Sequence, residues 1–265
     1  MADLVTISRN RLKYIRKLQQ RKYRRQYGYY LCEGWRLFET AVASHAEKIG
    51  EVVISDEFLA SSFSAGLFDS LKIADIPVYQ VTTQEMRKLS SEITPQGILF
   101  TMPIRKYDKP VLNQISDPVM LYLEEISDPG NLGTIIRTAL WFGVENILLS
   151  PGSVDPYNPK TVRASAGATF EASIHEDVDL NVLHRSLKSS GYRFIATKPL
   201  GGLRLNSWLP SEKSVILFGQ EASGLSESAI SVADTQLTIE KYGPAESLNL
   251  AMSVGIILYH LTQHA

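Results

Sequence analysis

Residues 128–139 read Asp-Pro-Gly-Asn-Leu-Gly-Thr-Ile-Ile-Arg-Thr-Ala, and this glycine-rich stretch lies between a strand pattern and a helix pattern. The apolar run Val119–Glu124 predicts a buried parallel strand, and Asn131–Phe142 predicts the helix that follows it. Two further segments of this kind, Phe218–Leu225 and Glu246–Ala251, follow predicted strands far downstream. Ligands of parallel α/β sheets bind at the carboxyl ends of the strands, so we expect all three segments to lie at one sheet edge.

None of these segments is a common nucleotide-binding motif. The run Gly130-Asn131-Leu132-Gly133 lacks the spacing of the dinucleotide fingerprint. Gly219 and Gly224 have the spacing of a phosphate loop, but Leu225-Ser226 stands where that loop needs a lysine followed by serine or threonine. The sequence therefore favours neither a dinucleotide site nor a nucleoside triphosphate site.

Strand and helix patterns alternate through the rest of this half, which predicts a doubly wound parallel sheet over residues 119–265. The further predicted strands are 146–149, 193–197, 215–218 and 236–239, and the further predicted helices are 160–167, 180–190 and 247–261. We see no internal repeat and no low-complexity segment.

The first half predicts a smaller α/β domain over residues 1–103, followed by a linker at 104–118 that contains two prolines and no clean period. The predicted helices are 34–44, 63–74 and 84–89, and the predicted strands are 51–54, 78–81 and 97–101. An additional helix is predicted from Ser8 to about Tyr27, with apolar residues on one stripe and basic residues around the rest.

The charge of this first helix indicates an RNA partner. Asp3 is the only acidic residue before Glu33, although the whole chain of 265 residues has a net charge of only -1. We predict that Arg21, Lys22, Arg24 and Arg25 contact RNA phosphates, while the interleaved tyrosines stack on unpaired bases. The alternative is an ordinary solvated helix face.

The remaining composition restricts the class of protein. Cys32 is the only cysteine, which excludes an internal disulfide and a cysteine-based zinc site. The five histidines show no ligand spacing beyond the i, i+4 pair His260 and His264, so we expect no metal. We expect a cytoplasmic protein with no membrane partner, since neither a secretory signal nor a membrane-spanning run is evident.

Taken together, the three segments resemble the motifs of the SpoU (TrmH-type) RNA ribose 2′-O-methyltransferases of the SPOUT class. The similarity covers about Leu121 to Tyr259, and residues 162–168 also look like a family segment. It implies an α/β fold whose C-terminal parallel-sheet domain contains a trefoil knot, with a smaller N-terminal α/β RNA-binding domain. It also implies S-adenosylmethionine as cofactor and a homodimer with the site close to the subunit interface.

The resemblance also implies roles for individual residues. Asn131 would orient a ribose hydroxyl, although a helix cap is its simpler role. Arg137 would be the main catalytic residue, and we favour phosphate binding and alkoxide stabilisation over a role as base because guanidinium stays protonated. Glu221, Ser247 and Asn249 complete the predicted catalytic set. For Glu221 we favour ordering of the cofactor loop over a position near the reacting ribose, and Ser247 could also be an ordinary helix N-cap. The predicted cofactor-binding residues are Phe218, Gly219, Gln220, Glu221, Gly224, Ile239, Ser247, Leu248 and Asn249.

Two further features complete the predicted site. Lys160 and Arg163, three residues apart, are added to the predicted RNA-binding set, with a solvated pair as the alternative. Ile239-Glu240-Lys241 departs from the family pattern, which usually reads Ile-Pro-Met or similar at this place. This departure concerns the shape of the loop around the cofactor.

The predicted function is therefore methyl transfer from S-adenosylmethionine to a ribose 2′-hydroxyl of RNA. Ribosomal RNA is the first choice of substrate and transfer RNA the second. The competing hypotheses are a catalytically silent RNA-binding or ribosome-assembly factor on the same fold, and a knotted enzyme that methylates a base nitrogen.

Overall fold

The computed structural model describes residues 4–61, 76–105, 117–210 and 213–264. The chain divides into two compact units: unit 1 comprises Met1–Lys106 and Tyr157–Phe170, and unit 2 comprises Tyr107–Pro156 and Glu171–Ala265. The single boundary predicted from the sequence does not anticipate that Tyr157–Phe170 packs within unit 1. The helix predicted at 63–74 and most of the predicted linker lie outside the described residues.

Unit 1 contains a mixed sheet with the strand order β1-β4-β3-β5-β2 in its described part. Strand β5 is antiparallel to both β2 and β3, whereas β4 is parallel to β1 and β3. The elements are β1 (Leu4–Thr6), α1 (Arg9–Lys17), α2 (Arg21–Tyr27), β2 (Tyr29–Glu33), α3 (Trp35–His45), β3 (Val52–Ser55), α4 (Asp56–Leu59), β4 (Val78–Val81), α5 (Thr83–Leu89) and β5 (Ile98–Pro103). The α/β prediction for this half is confirmed, and β1 and β2 are strands that the sequence pattern did not indicate.

The single basic helix predicted from Ser8 to Tyr27 is wrong, because α1 ends at Lys17 and α2 begins at Arg21. Gln20, which precedes α2, has an extended backbone, with φ -104° and ψ 132°. The side chain of Arg24 stabilises this break, since its Nη1 donates to the Leu18 carbonyl at 2.8 Å and to the Gln19 carbonyl at 2.7 Å. A helix-period pattern cannot reveal that a cation from the second helix satisfies the carbonyls that end the first.

The segment Tyr157–Phe170 contributes to the core of unit 1. It contains helix α7 (Pro159–Ser165), together with a short 3-10 turn at Ala168–Phe170. Tyr157, Val162 and Phe170 are buried in the same apolar cluster as the sheet residues of this unit. The ring of Tyr157 lies 4.8 Å from that of Tyr30, measured between centroids.

Unit 2 contains a parallel sheet with the strand order β10-β12-β9-β11-β6-β7-β8, seven strands among the described residues. Its elements are β6 (Val119–Leu123), α6 (Pro129–Trp141), β7 (Asn146–Leu149), β8 (Ser173–His175), α8 (Leu180–Lys188), β9 (Arg193–Thr197), β10 (Leu203–Arg204), β11 (Ser214–Phe218), α9 (Glu227–Val232), β12 (Thr235–Thr238) and α10 (Leu250–Thr262). The predicted parallel α/β architecture is confirmed. In the described ranges no helix is long and apolar enough to cross a membrane.

The caps of two helices of unit 2 fix the chain around the strand ends. Asp128 caps α6, where its carboxylate accepts from the Asn131 N–H at 2.7 Å and a proline occupies the first turn. Asn249 caps α10, where its Oδ1 accepts from the N–H groups of Ala251 and Met252. Helix α10 therefore begins at Leu250, not at Ser247 as predicted, because the asparagine and not the serine ends the loop.

Candidate active site

A cavity of about 290 Å³ lies in unit 2 at the carboxyl ends of β9, β11 and β12. All the predicted cofactor-binding residues except Asn249 line it. Sequence reasoning missed Thr197, Lys198 and Pro199, which also line it. Their position at the end of a predicted strand was the available signal, since parallel strands deliver their ends to one sheet edge.

The loop after β11 is closed tightly on itself. The N–H of Gln220 donates to the Gly224 carbonyl at 3.1 Å, and the N–H of Gly224 donates to the Gln220 carbonyl at 3.0 Å. A Cβ added to Gly219 would lie 2.1 Å from the carbonyl carbon of Gly224 and 2.3 Å from the nitrogen of Leu225. Only glycine fits at this position, and the atoms it approaches belong to its own loop.

Asn131 connects the three sequence segments through its side chain. Its Nδ2 donates to Glu221 Oε1 at 2.5 Å, and its Oδ1 accepts from Asn249 Nδ2 at 2.9 Å. The first, second and third segments thus meet at one amide group, as their common position at the strand ends predicted. The simpler role considered for Asn131, that of helix cap, belongs to Asp128 instead.

A carboxylate only accepts hydrogen bonds, so Glu221 determines which way the Asn131 amide faces. The Asn131 nitrogen must face Glu221, and the oxygen must then face the Asn249 amide. One N–H of the amide nitrogen and one lone pair of the oxygen are not used in these two bonds. The arrangement can therefore offer both a donor and an acceptor to a polar ligand.

Arg137 lies on α6, the helix that begins beside this cluster, and its side chain is exposed. Within the described part of the chain its guanidinium has no hydrogen bond or ion pair. Ser247 is also exposed and lines the cavity next to Leu248. These residues are thus accessible, which contrasts with the constrained amide of Asn131.

The basic residues predicted to bind RNA differ in their surroundings in unit 1. Lys22 and Arg25 are exposed, and Arg21 is partly buried. Arg24 is only 3% exposed and its guanidinium is committed to backbone carbonyls, so it is removed from the predicted phosphate-binding set. Near the exposed residues, the ammonium of Lys17 lies 5.0 Å from the ring centroid of Tyr23.

The two predicted RNA contacts of α7 also differ. Lys160 is exposed at the start of the helix. Arg163 pairs with Glu92 and donates to Ser91 Oγ at 2.6 Å within unit 1. Burial raises the pKa of the neighbouring Glu33 carboxyl, and hydrogen bonds from Ser90 and Ser91 with the charge of Arg163 partly offset this effect. Arg163 therefore has a structural partner where an RNA phosphate was predicted.

No group of three or more His, Cys, Asp or Glu side chains is placed to hold a metal in the ranges that the structure describes. The cavity lining instead combines apolar side chains with the carboxylates of Glu221, Glu240 and Glu246. Lys198, which is partly buried, also belongs to this lining and contributes an ammonium group. Such a site suits an organic ligand that has a cationic part and an apolar part.

Comparison with known proteins identifies this architecture. Residues 118–259 match the model of the SpoU rRNA methylase family. The chain belongs to the SpoU rRNA methylase family. Residues 9–99 match the MRM3-like substrate binding domain, which covers most of the described part of unit 1. The resemblance derived from the three sequence segments is confirmed.

Individual relatives agree with this assignment along nearly the whole chain. An uncharacterized tRNA/rRNA methyltransferase of Synechocystis is 33% identical and covers 98% of this chain and 93% of its own length. A 23S rRNA guanosine 2′-O-methyltransferase of Bacillus subtilis is 27% identical, with 98% and 99% covered. The structure of an AdoMet-bound rRNA methyltransferase from Sinorhizobium meliloti matches with a TM-score of 0.80 and 26% identity, over 98% of this chain and 97% of that one.

Proposed function

We propose that this protein transfers a methyl group from S-adenosylmethionine to a ribose 2′-hydroxyl of ribosomal RNA. The observation that carries the proposal is the hydrogen-bonded set of Asn131, Glu221 and Asn249, which joins three segments beside a cavity of about 290 Å³. The set provides a fixed donor and acceptor for a hydroxyl group. The relative from Bacillus subtilis, named as a ribose methyltransferase of 23S rRNA, supports the choice of substrate.

The cavity fits the chemistry of S-adenosylmethionine, which supplies an electrophilic methyl group on a sulfonium. Ile239 and Leu248 offer apolar surface to the adenine, and Leu248 is 51% exposed where it lines the cavity. Glu221, Glu240 and Glu246 offer negative charge to the sulfonium and the ammonium group. The variant segment Ile239-Glu240-Lys241 contributes to this lining, so its departure from the family pattern leaves the wall of the cavity in place.

Asn131 would orient the ribose, because its amide is already fixed by Glu221 and Asn249. Its second N–H can donate to the 2′-oxygen, which aligns a lone pair with the methyl group. Because the ribose is oriented when it binds, it loses little further rotational freedom in the transition state, which lowers the barrier. As the oxygen–carbon bond forms, the sulfur–carbon bond breaks and the hydroxyl proton leaves to a phosphate oxygen or to water.

Arg137 would bind the phosphate next to the reacting ribose and stabilise the negative charge that develops on the 2′-oxygen. Its exposed guanidinium has no hydrogen bond or ion pair among the described residues, so phosphate binding would not require an existing pair to break. Guanidinium remains protonated at neutral pH, which suits electrostatic stabilisation and not proton abstraction. The same cation would thus assist both substrate binding and the transition state.

The exposed basic residues of unit 1 would hold the RNA through its phosphates. Lys22 and Arg25 are available for this contact, whereas Arg24 is buried. Tyr23 and Tyr27 stack with ring centroids 6.1 Å apart, and such a pair provides a surface on which unpaired bases can stack. Neutralising Lys22 and Arg25 together should weaken RNA binding and reduce its dependence on salt.

We also propose a homodimer formed through α6 and α10. These two helices pack together, and on α10 Met252, Ile256 and Tyr259 share one face at helical spacing. Trp141 of α6 is 84% exposed, and Tyr259 is 58% exposed. Large exposed apolar side chains on adjoining helices are typical of a subunit interface.

Sedimentation velocity tests the homodimer. Wild type should sediment as a dimer, and the double variant Trp141→Glu with Tyr259→Glu should sediment as a monomer. A monomeric wild type would contradict the proposal.

The test of the catalytic proposal is methyl transfer from labelled S-adenosylmethionine to total RNA from a strain that lacks this protein. Wild type should label one size class of RNA, and Arg137→Ala should not. A ribose methyl group blocks alkaline or nuclease cleavage at the adjacent phosphodiester, so digestion of the product separates ribose from base methylation. Label in transfer RNA would change the substrate assignment. Absence of both label and cofactor binding would favour the silent RNA-binding factor.

A further inference from the structure

Two adjacent carboxylates at the end of β6 hold the loop after β11 at both of its ends. Glu124 accepts from the N–H of Ser226 at 2.8 Å and from its Oγ–H at 2.7 Å. Glu125 accepts from Gln220 Nε2 at 2.6 Å. The loop between Gln220 and Ser226 contains Glu221 and lines the cavity, so these two acids bracket a segment of the proposed active site.

The backbone of Glu125 is unusual, because its φ of 49° lies in the left-handed region. Non-glycine residues rarely adopt this conformation, and glycine would adopt it without strain. The backbone is held there by a hydrogen bond of 2.7 Å from its N–H to Ser150 Oγ. A non-glycine residue with this backbone conformation next to a functional loop points to a role for its side chain.

The carboxylate of Glu125 fixes the orientation of the Gln220 amide. A carboxylate accepts only, so Gln220 must turn Nε2 towards Glu125, and its Oε1 then faces away. Oε1 accepts from Ser223 Oγ at 3.1 Å, which ties the side chain to the middle of the loop. The backbone of the same residue is paired with Gly224 in both directions. Gln220 is therefore the residue that closes the loop, and Glu125 determines how its side chain takes part.

We propose that Glu125 is a positioning residue for the cofactor loop. It acts through Gln220 to hold the loop in its closed form, and thereby holds Glu221 where it meets the Asn131 amide. This inference rests on the proposed function of the loop in binding S-adenosylmethionine, but its structural part concerns the protein without any ligand. The two parts can therefore be tested separately.

The structural part is tested by amide hydrogen exchange of residues 219–226 in the ligand-free protein. Glu125→Gly accepts the left-handed backbone but removes the acceptor, and the loop amides should exchange roughly ten-fold faster than in wild type. Glu125→Gln keeps an acceptor for Gln220 and should exchange within about two-fold of wild type. Asp177→Gly is the matched control, because Asp177 also has a left-handed φ, of 57°, in unit 2 and does not line the cavity.

The functional part is tested by calorimetric titration of S-adenosylmethionine into the same three variants. Glu125→Gly should raise the Kd roughly five-fold to ten-fold, while Glu125→Gln and Asp177→Gly stay near the wild-type value. The melting temperature of Glu125→Gly should stay close to that of wild type, because relief of the left-handed strain offsets the larger conformational entropy that glycine has in the unfolded chain. A double-mutant cycle with Gln220→Ala should give non-additive changes in Kd, because both variants remove the same contact.

The results that overturn the inference are distinct from those that overturn the proposed function. Unchanged loop exchange in Glu125→Gly, or additive effects with Gln220→Ala, would refute the positioning role. If Glu125→Gly lowers the melting temperature but the loop amides exchange no faster than those in the rest of the protein, then Glu125 has a general structural role and the positioning role is also refuted. Faster loop exchange with no binding of S-adenosylmethionine even by wild type would uphold the positioning of the loop and refute the assigned cofactor.

Discussion

Substitution of Gly219 by alanine should open the cofactor loop. The added Cβ would lie 2.1 Å from the Gly224 carbonyl carbon and 2.2 Å from its oxygen. Ordinary contacts between such atoms are about 3.5–4.0 Å. The two backbone strands of the loop must therefore separate by roughly 1.4 Å, and because the obstructing atoms are backbone they cannot rotate away.

A separation of this size breaks both hydrogen bonds between Gln220 and Gly224, which measure 3.1 Å and 3.0 Å. At about 1 kcal/mol for each bond, holding the loop closed would cost the variant about 2 kcal/mol more than wild type. Since 1.4 kcal/mol corresponds to a factor of ten, we expect the Kd for S-adenosylmethionine to rise about thirty-fold.

Calorimetric titration measures this change directly, and urea denaturation reports how much of the effect reaches global stability. Gly243→Ala is the matched control, because Gly243 also lines the cavity but its added Cβ would have nothing within 4 Å. Gly243→Ala should bind within about two-fold of wild type, as an uncrowded substitution does. If Gly219→Ala binds as tightly as this control, then closure of the loop does not contribute to cofactor binding and the reasoning is wrong.

Three other predictions concern residues outside this loop. Arg137→Ala should reduce methyl transfer at least about a hundred-fold while the calorimetric Kd for S-adenosylmethionine stays within about three-fold, and near-normal turnover would remove Arg137 from catalysis. Arg24→Ala should lower the free energy of unfolding in urea by about 3 kcal/mol, because removal of the buried guanidinium leaves the carbonyls of Leu18 and Gln19 without their donor. Arg25→Ala should change this free energy by less than about 0.5 kcal/mol, and equal effects of the two substitutions would contradict the structural role of Arg24. Burial lowers the pKa of His175 below its ordinary value of 6.5, so the unfolded chain takes up the proton first as the pH falls. The free energy of unfolding should therefore be retained above about pH 6.5 and decline below it, and His175→Gln should remove this part of the pH dependence.

The sequence predicted the sheet of unit 2 well because its strands are short apolar runs that need burial on both faces. Strands β8 and β10 escaped prediction, since one has three residues and the other only two. The meeting of three segments at the strand ends was also predictable, because parallel topology requires it. The trefoil knot remains a prediction from resemblance, since no local pattern encodes threading.

The partners of individual charged side chains could not be predicted, because the spacing of apolar residues does not show which distant residues come into contact. Arg24 and Arg25 are adjacent and chemically identical, yet one is buried against carbonyls and the other is exposed. The pairing of Arg163 with Glu92 links residues far apart in the chain. The left-handed backbone of Glu125 had no sequence signal either, because glutamate is not a residue that usually marks such a turn.

The passage of Tyr157–Phe170 into unit 1 has a consequence for building chimeric proteins. An exchange of N-terminal domains between relatives by one crossover near residue 110 would transfer residues 1–106 without Tyr157–Phe170, the segment that belongs to the same unit. Val162 and Phe170, buried in the native core, would then face side chains from a foreign donor. A functional hybrid would therefore need residues 1–106 and Tyr157–Phe170 from the same parent, which requires two further crossovers in the C-terminal half of the chain.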